Sequence, residues 1–114
     1  MTDQTVRLFT YGTLRDPAVQ QRLFGRSVSG TPDAVQGFRL GTVTIADEEV
    51  IATSGTTVHL VVDGTGDSAD RVEGMVLSLS EAELAIADGY ETADYRRVAV
   101  TLVSGAEAFL YARA

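Results

Sequence analysis

Residues Val6–Tyr11, "VRLFTY", form a mostly apolar run that stops at Gly12, which predicts a buried strand closed by a glycine turn. The following "RDPAVQQRLFG" changes period. Asp16 suits an N-cap, Pro17 suits the first helical position, Val19, Leu23 and Phe24 share one face, and Gly25 is a good stop. A short helix is expected over Ala18–Phe24. From Ser27 to Val103 the signals are mostly those of strands. "AVQGFRLGTVTI" mixes alternation with two glycines, which in strands mark bulges or tight bends. "EEVIATSGTTVHLVV" reads as two strands with a turn at Ser54-Gly55, "DGTGDSADR" as a polar loop, and "RVEGMVLSL" as a strand with Gly74 inside it. In "LSEAELAIADGYE", Ser80 and Glu83 have capping-box spacing. A helix is therefore expected from Glu81 to Gly89, with Tyr90 and Glu91 just past its end. "YRRVAVTLVSGAEAFLYAR" reads as a hairpin turning at Ser104-Gly105.

There is no internal repeat, heptad or low-complexity tract. Two short helices among about six or seven short, glycine-bent strands predict an α+β fold. The expected architecture is a small mixed β-barrel or strongly curled sheet with short helices packed around it. Regular βαβ alternation is missing, which argues against a Rossmann-type fold. A length of 114 residues fits one domain over 1–114, and an apolar fraction of 45% supports a globular core.

Charge and cysteine usage narrow the function classes. The formal net charge is −7 and the only basic cluster is Arg96-Arg97, so nucleic acid is not an expected partner. Acidic membrane surfaces should repel the chain as well. The absence of cysteine removes disulfides, thiolate catalysis and Cys-based zinc sites. With no apolar leader and no run of about 18 apolar residues, the expected location is cytoplasmic. Whether the chain is a monomer or a homodimer is not legible in these residues.

Several catalytic signatures are missing: a G-x-S-x-G elbow, a Walker A loop and H-E-x-x-H. The single histidine, His59, cannot supply a multi-histidine metal site; it reads as a structural or rim residue, or else as a pocket residue touching substrate. The acidic segment Asp63–Asp70 lacks EF-hand spacing and reads as a solvated hairpin loop. Two places remain. A strand that ends in a glycine turn before a helix exposes backbone N–H groups able to hold an anion or a developing oxyanion, although a strand must also simply end somewhere. Tyr11–Leu14 is such a place. Glu91 is expected just past a helix C-terminus, whose partial negative charge disfavours a carboxylate, and Tyr90 and Tyr95 would desolvate it. Both effects raise its pKa toward the range useful for shuttling protons.

Together these features resemble the γ-glutamylcyclotransferase-like family. "FTYGTLR" is similar to its Y-G-T/S-L strand and loop, "VEGMVLSLSEAEL" to its V-x-G-x-V strand and following helix, and "ELAIADGYETADYRRVAV" to its block of an acidic residue, an aromatic-Glu pair and Y-x-R. The blocks occur in family order and span nearly the whole chain. The resemblance implies a compact mixed barrel and a cofactor-independent, metal-free reaction on a small γ-glutamyl substrate. In that reaction the substrate's own α-amine attacks its γ-carbonyl, forming 5-oxoproline and releasing an amine or amino acid. It implies Glu91 as the proton-transferring group, Tyr11, Gly12, Thr13 and Leu14 as the loop holding the γ-glutamyl group, and Tyr95 as a pocket wall. Arg97 would pair with a carboxylate or form an inter-strand ion pair. The segment "IADEEVIATSGTTVHLVV" matches none of these motifs, and residues that select the substrate are expected there. The competing readings are a binding module for γ-glutamyl or related small carboxylates that does not turn them over, and an interaction protein pairing through a strand edge.

Overall fold

The computed structural model describes residues 5–91 and 93–114. Its elements are β1 (Thr5–Thr10), a 3-10 turn (Thr13–Arg15), α1 (Pro17–Phe24), β2 (Gly30–Gln36), β3 (Phe38–Thr44), α2 (Glu48–Ser54), β4 (Val58–Gly64), β5 (Arg71–Ser80), α3 (Glu81–Tyr90), β6 (Tyr95–Thr101) and β7 (Glu107–Arg113). The main sheet has the order β2-β5-β1-β7-β6, and β3 and β4 form a separate antiparallel ribbon. β1 runs antiparallel to β5, from Thr5 opposite Ser80 to Thr10 opposite Met75, and parallel to β7 at Leu8–Phe109. The fold is therefore α+β, as expected, with an open mixed sheet in place of a closed barrel.

β1 is buried throughout its second half because both of its faces are covered. Leu8 joins Leu77, Leu79, Leu84, Ala87 and Tyr90 under the helices. Its neighbour Phe9 points the other way, into a second core with Val35, Val72, Leu110 and Val62 of the ribbon. Successive strand residues face opposite sides, so one strand serves both cores. Its end, where the chain leaves the sheet, lies between them.

The helix signals held at both expected helices. Asp16 accepts from the Ala18 N–H at 2.9 Å and Gly25 closes α1 in the left-handed region (φ 71°). In α3 the capping box is complete: the Glu83 N–H donates to Ser80 Oγ at 3.1 Å and the Ser80 N–H to Glu83 Oε1 at 3.0 Å. Arg26 clamps Glu83 from outside with two 2.8 Å bonds, and this pairing together with the Ser80 N–H holds the Glu83 pKa down at about 2. α3 runs through Gly89 to Tyr90, one residue past its expected end, and Glu91 is its C-cap. Because α3 carries Glu91, its start matters. Ser80→Ala is expected to lower stability by about 1 kcal/mol, read in a urea titration.

Two expectations are corrected. Residues 48–54 form a helix and not a strand: Asp47 accepts from the Glu49 and Val50 N–H groups, Glu48 and Glu49 occupy its first turn, and Gly55 closes it at φ 77°. Caps at both ends and acidic residues at the positive helix end outweigh the strand preference of Val50, Ile51 and Thr53. The acidic segment is not a hairpin loop either, because β4 and β5 lie in different sheets and the loop crosses between them. Two of its acids have partners: Asp63 pairs with Arg113 of β7 at 2.6 Å, and Asp67 accepts from the Ala69 N–H at 2.9 Å. The hairpin at Ser104-Gly105 forms as expected, joining β6 to β7, with Gly105 at φ 92°. No helix among the described residues is long and apolar enough to cross a membrane.

Candidate active site

A cavity opens where β1 ends, lined by Tyr11, Gly12, Thr13, Leu14, His59, Leu60, Glu91, Tyr95 and Tyr111, with Phe9 and Thr10 at its base. All six residues singled out in the sequence, Tyr11, Gly12, Thr13, Leu14, Glu91 and Tyr95, line it. The cavity leaves about 20 Å³ to the centre of a water molecule, room for about one water, and its empty space including the open mouth is about 330 Å³.

The loop is fixed from beneath. The chain folds into the 3-10 turn through the Arg15 N–H to the Gly12 carbonyl, 3.1 Å, and the Asp16 N–H to the Thr13 carbonyl, 2.9 Å. Gln20, buried in α1, donates to the Leu14 carbonyl at 2.8 Å and accepts from the Val28 N–H at 2.7 Å. Leu14 itself is a core side chain, so it meets the cavity while anchoring the loop. The Thr13 hydroxyl is 2.9 Å from the Tyr90 hydroxyl, tying the loop to α3. At Gly12 an added Cβ would meet no protein atom within 4 Å. Packing therefore does not demand glycine there.

Glu91 leaves α3 with its N–H on the Ala87 carbonyl at 3.0 Å, and desolvation raises its carboxyl from 4.5 to about 8. The direction agrees with the sequence argument, and burial is its cause. The four tyrosines of the chain surround this carboxyl, and its negative charge helps keep each phenol protonated, behind the larger effect of burial. Each hydroxyl ties the site to a different element. Tyr11 donates to the Tyr111 carbonyl, Tyr111 to Asp88 Oδ1 at 2.6 Å, Tyr95 to the Leu60 carbonyl at 2.6 Å, and Tyr90 meets Thr13. The carboxyl thus sits desolvated within a hydrogen-bonded frame, where electrostatic interactions are stronger than in water.

His59 is both a structural and a cavity residue. It is buried, and its Nε2 lies 2.9 Å from Ser54 Oγ and 3.2 Å from the Thr56 carbonyl, with its basicity lowered by burial. Arg97 is not among the cavity-lining residues: it pairs with Asp88 of α3 at 3.4 Å and stacks over Phe109 at 4.8 Å, so its ion pair joins strand to helix and is not the expected inter-strand one. Among the described residues no three His, Asp or Glu side chains come together to hold a metal ion. Sequence reasoning missed Tyr111, Gln20 and Leu60. A polar Gln on an otherwise apolar helix face was the one signal that could have pointed to Gln20.

The mixed α+β scaffold presents one desolvated carboxyl, Glu91, beside the strand-end loop, an arrangement chemically suited to proton transfer. The chain belongs to the gamma-glutamyl cyclotransferase, AIG2-like family, whose sequence profile matches residues 8–114. No curated protein matches the sequence at a significant level. Among solved structures it is similar to a solution structure of an Arabidopsis thaliana protein at 24% identity and TM-score 0.70, covering 99% of this chain and 66% of that one. It is likewise similar to a protein titled gamma-glutamyl cyclotransferase at 16% identity and TM-score 0.72, covering 97% of this chain and 68% of that one. An uncharacterized Pyrococcus horikoshii protein matches at 21% identity and TM-score 0.63, over 95% of this chain and 77% of that one. These likenesses establish the fold. The chain spans about two thirds of the length of the first of them.

Proposed function

We propose that the protein cleaves γ-glutamyl amides by intramolecular cyclisation, releasing an amine or amino acid and 5-oxoproline. The observation that carries this reading is Glu91, desolvated to a pKa of about 8 in the same cavity as the Tyr11–Leu14 loop. An α-ammonium entering the cavity brings a positive charge to Glu91 and favours its ionised form. The carboxylate then takes a proton from the ammonium. The free amine attacks the γ-carbonyl carbon, a C–N bond forms, and the amide C–N bond breaks as the leaving nitrogen receives the proton back; the ring nitrogen then gives its second proton to the carboxylate, which passes it to the released amine. One carboxyl serves every transfer, and the tethered nucleophile supplies the proximity. Backbone N–H groups of the Gly12–Leu14 loop hold the substrate oxygen, and Tyr95 closes the wall.

The test is a panel of γ-glutamyl amines, γ-glutamyl amino acids and ε-linked isopeptides incubated with the protein, with release of free amine followed by mass spectrometry. Release from at least one class is expected; binding of a panel member without release would show a binding module instead. Gly12 offers a second check. Gly12→Val should melt close to the wild type, because nothing packs at that position, yet its side chain occupies substrate space. KM is expected to rise about tenfold or more at this variant. An unchanged KM would remove the loop from the binding surface.

A further inference from the structure

We infer that the backbone N–H of Leu60, on the free edge of β4, is a substrate-binding donor of this site, taking a carboxylate or carbonyl oxygen of the γ-glutamyl group. The inference rests on the function proposed above. Its basis is the register of the ribbon. β3 and β4 pair with Val43 opposite His59, Thr42 opposite Leu60 and Leu40 opposite Val62. At the two ends of the ribbon the Ile45 N–H donates to the Thr57 carbonyl at 2.7 Å and the Thr65 N–H to the Gly37 carbonyl at 2.7 Å. In an antiparallel ladder hydrogen-bonded and non-hydrogen-bonded pairs alternate. The odd-numbered residues of β4 are therefore the ones bonded to β3. Leu60 and Val62 turn both N–H and C=O away from it.

On that outer edge β4 has no strand partner among the described residues. Tyrosine hydroxyls stand there instead. Tyr95 donates to the Leu60 carbonyl at 2.6 Å, and the Val62 N–H faces the Tyr11 phenol oxygen. Tyr11, Tyr95, Leu60 and Glu91 line one cavity, so this edge is a cavity wall. The Leu60 N–H shares that edge with the carbonyl that Tyr95 holds. The cavity leaves room for little more than one water's centre, so a γ-glutamyl ligand extends toward its open side, and Leu60, which lines it, is 37% exposed. A γ-glutamyl group carries two acceptor groups, a carboxylate and an amide carbonyl. The Gly12–Leu14 loop and the Leu60 amide provide donors for them from two different elements.

The alternation also supplies a clean variant. Proline removes the N–H, and at an outward-facing edge position no ladder bond is lost. Leu60→Pro should fold and lose about ten- to a hundredfold in kcat/KM for a γ-glutamyl amide the wild type turns over. A rise in KM assigns the donor to the carboxylate, and a fall in kcat to the reacting carbonyl. Leu60→Val trims the side chain but keeps the N–H, so its kcat/KM should stay about tenfold or more above that of Leu60→Pro. In the wild type, the Leu60 amide proton should move downfield on titration with 5-oxoproline, followed by ¹H–¹⁵N NMR, which decides the matter if the proline variant does not fold. Equal activity of the two variants, or an unmoved Leu60 amide, overturns the inference. Wild-type inactivity on every γ-glutamyl amide overturns the proposed function itself, so the two failures are separable.

Discussion

Glu91→Gln should abolish turnover and at the same time stabilise the fold. Activity is expected to fall by about 10²- to 10⁴-fold, since glutamine keeps the shape of the side chain but cannot accept and return a proton. Stability moves the other way. The Glu91 carboxyl titrates near 8 in the folded protein against an ordinary 4.5. Below the lower value it is protonated in both states. Between the two the folded protein holds a proton that the unfolded chain has released, so wild-type stability falls as pH rises and levels off above the folded pKa. Glutamine has no such dependence. The variant should therefore exceed the wild type by roughly 2–4 kcal/mol at pH 8, a margin that closes toward pH 4.5. Urea titrations of both proteins across this range check the sign. Equal pH profiles would mean that Glu91 is not desolvated as the structure has it.

The second large effect lies at Gly74 and is steric. Gly74 stands in β5 opposite Asp33 of β2, and a Cβ there would come 2.5 Å from the Thr10 carbonyl oxygen and 2.7 Å from Phe9 Cζ. Neither neighbour can give way: Thr10 is backbone of the central strand, and Phe9 is fully buried in the second core. Gly74→Ala should cost about 3 kcal/mol or more, from strain of the overpacked kind. In thermal unfolding this is a drop in Tm of roughly 10 °C or more. The same clash pushes on Thr10, directly before Tyr11, so residual activity should fall further than the unfolded fraction explains.

The sequence made the fold legible where local chemistry decides it. The Asp16 and Gly25 caps, the Ser80–Glu83 box and the Ser104-Gly105 turn each state their conformation within a few residues. α2 was not legible because its β-branched residues and its caps point opposite ways, and the caps prevail. Closure of the sheet was not legible either. The sheet ends at β2 and β6, and whether those two edges meet depends on contacts across the whole chain. The site divides in the same way. The Tyr11–Leu14 loop and Glu91 stand in contiguous motifs, and the structure brings them to one cavity. Tyr111, Gln20 and the Leu60 edge act through backbone groups and distant partners, and a side-chain pattern carries no trace of which N–H faces a cavity. His59 shows the limit of a single letter. A buried histidine held by Ser54 and Thr56 looks in sequence like any polar residue on an alternating strand.

In the proposed reaction the substrate's own amine, and not water, breaks the amide, and turnover of a γ-glutamyl amine in H₂¹⁸O distinguishes the two by the mass of the product. Unlabelled 5-oxoproline is expected, formed in step with the released amine and lost in Glu91→Gln. Glutamate carrying ¹⁸O would contradict it, and would make Glu91 the base of a hydrolase.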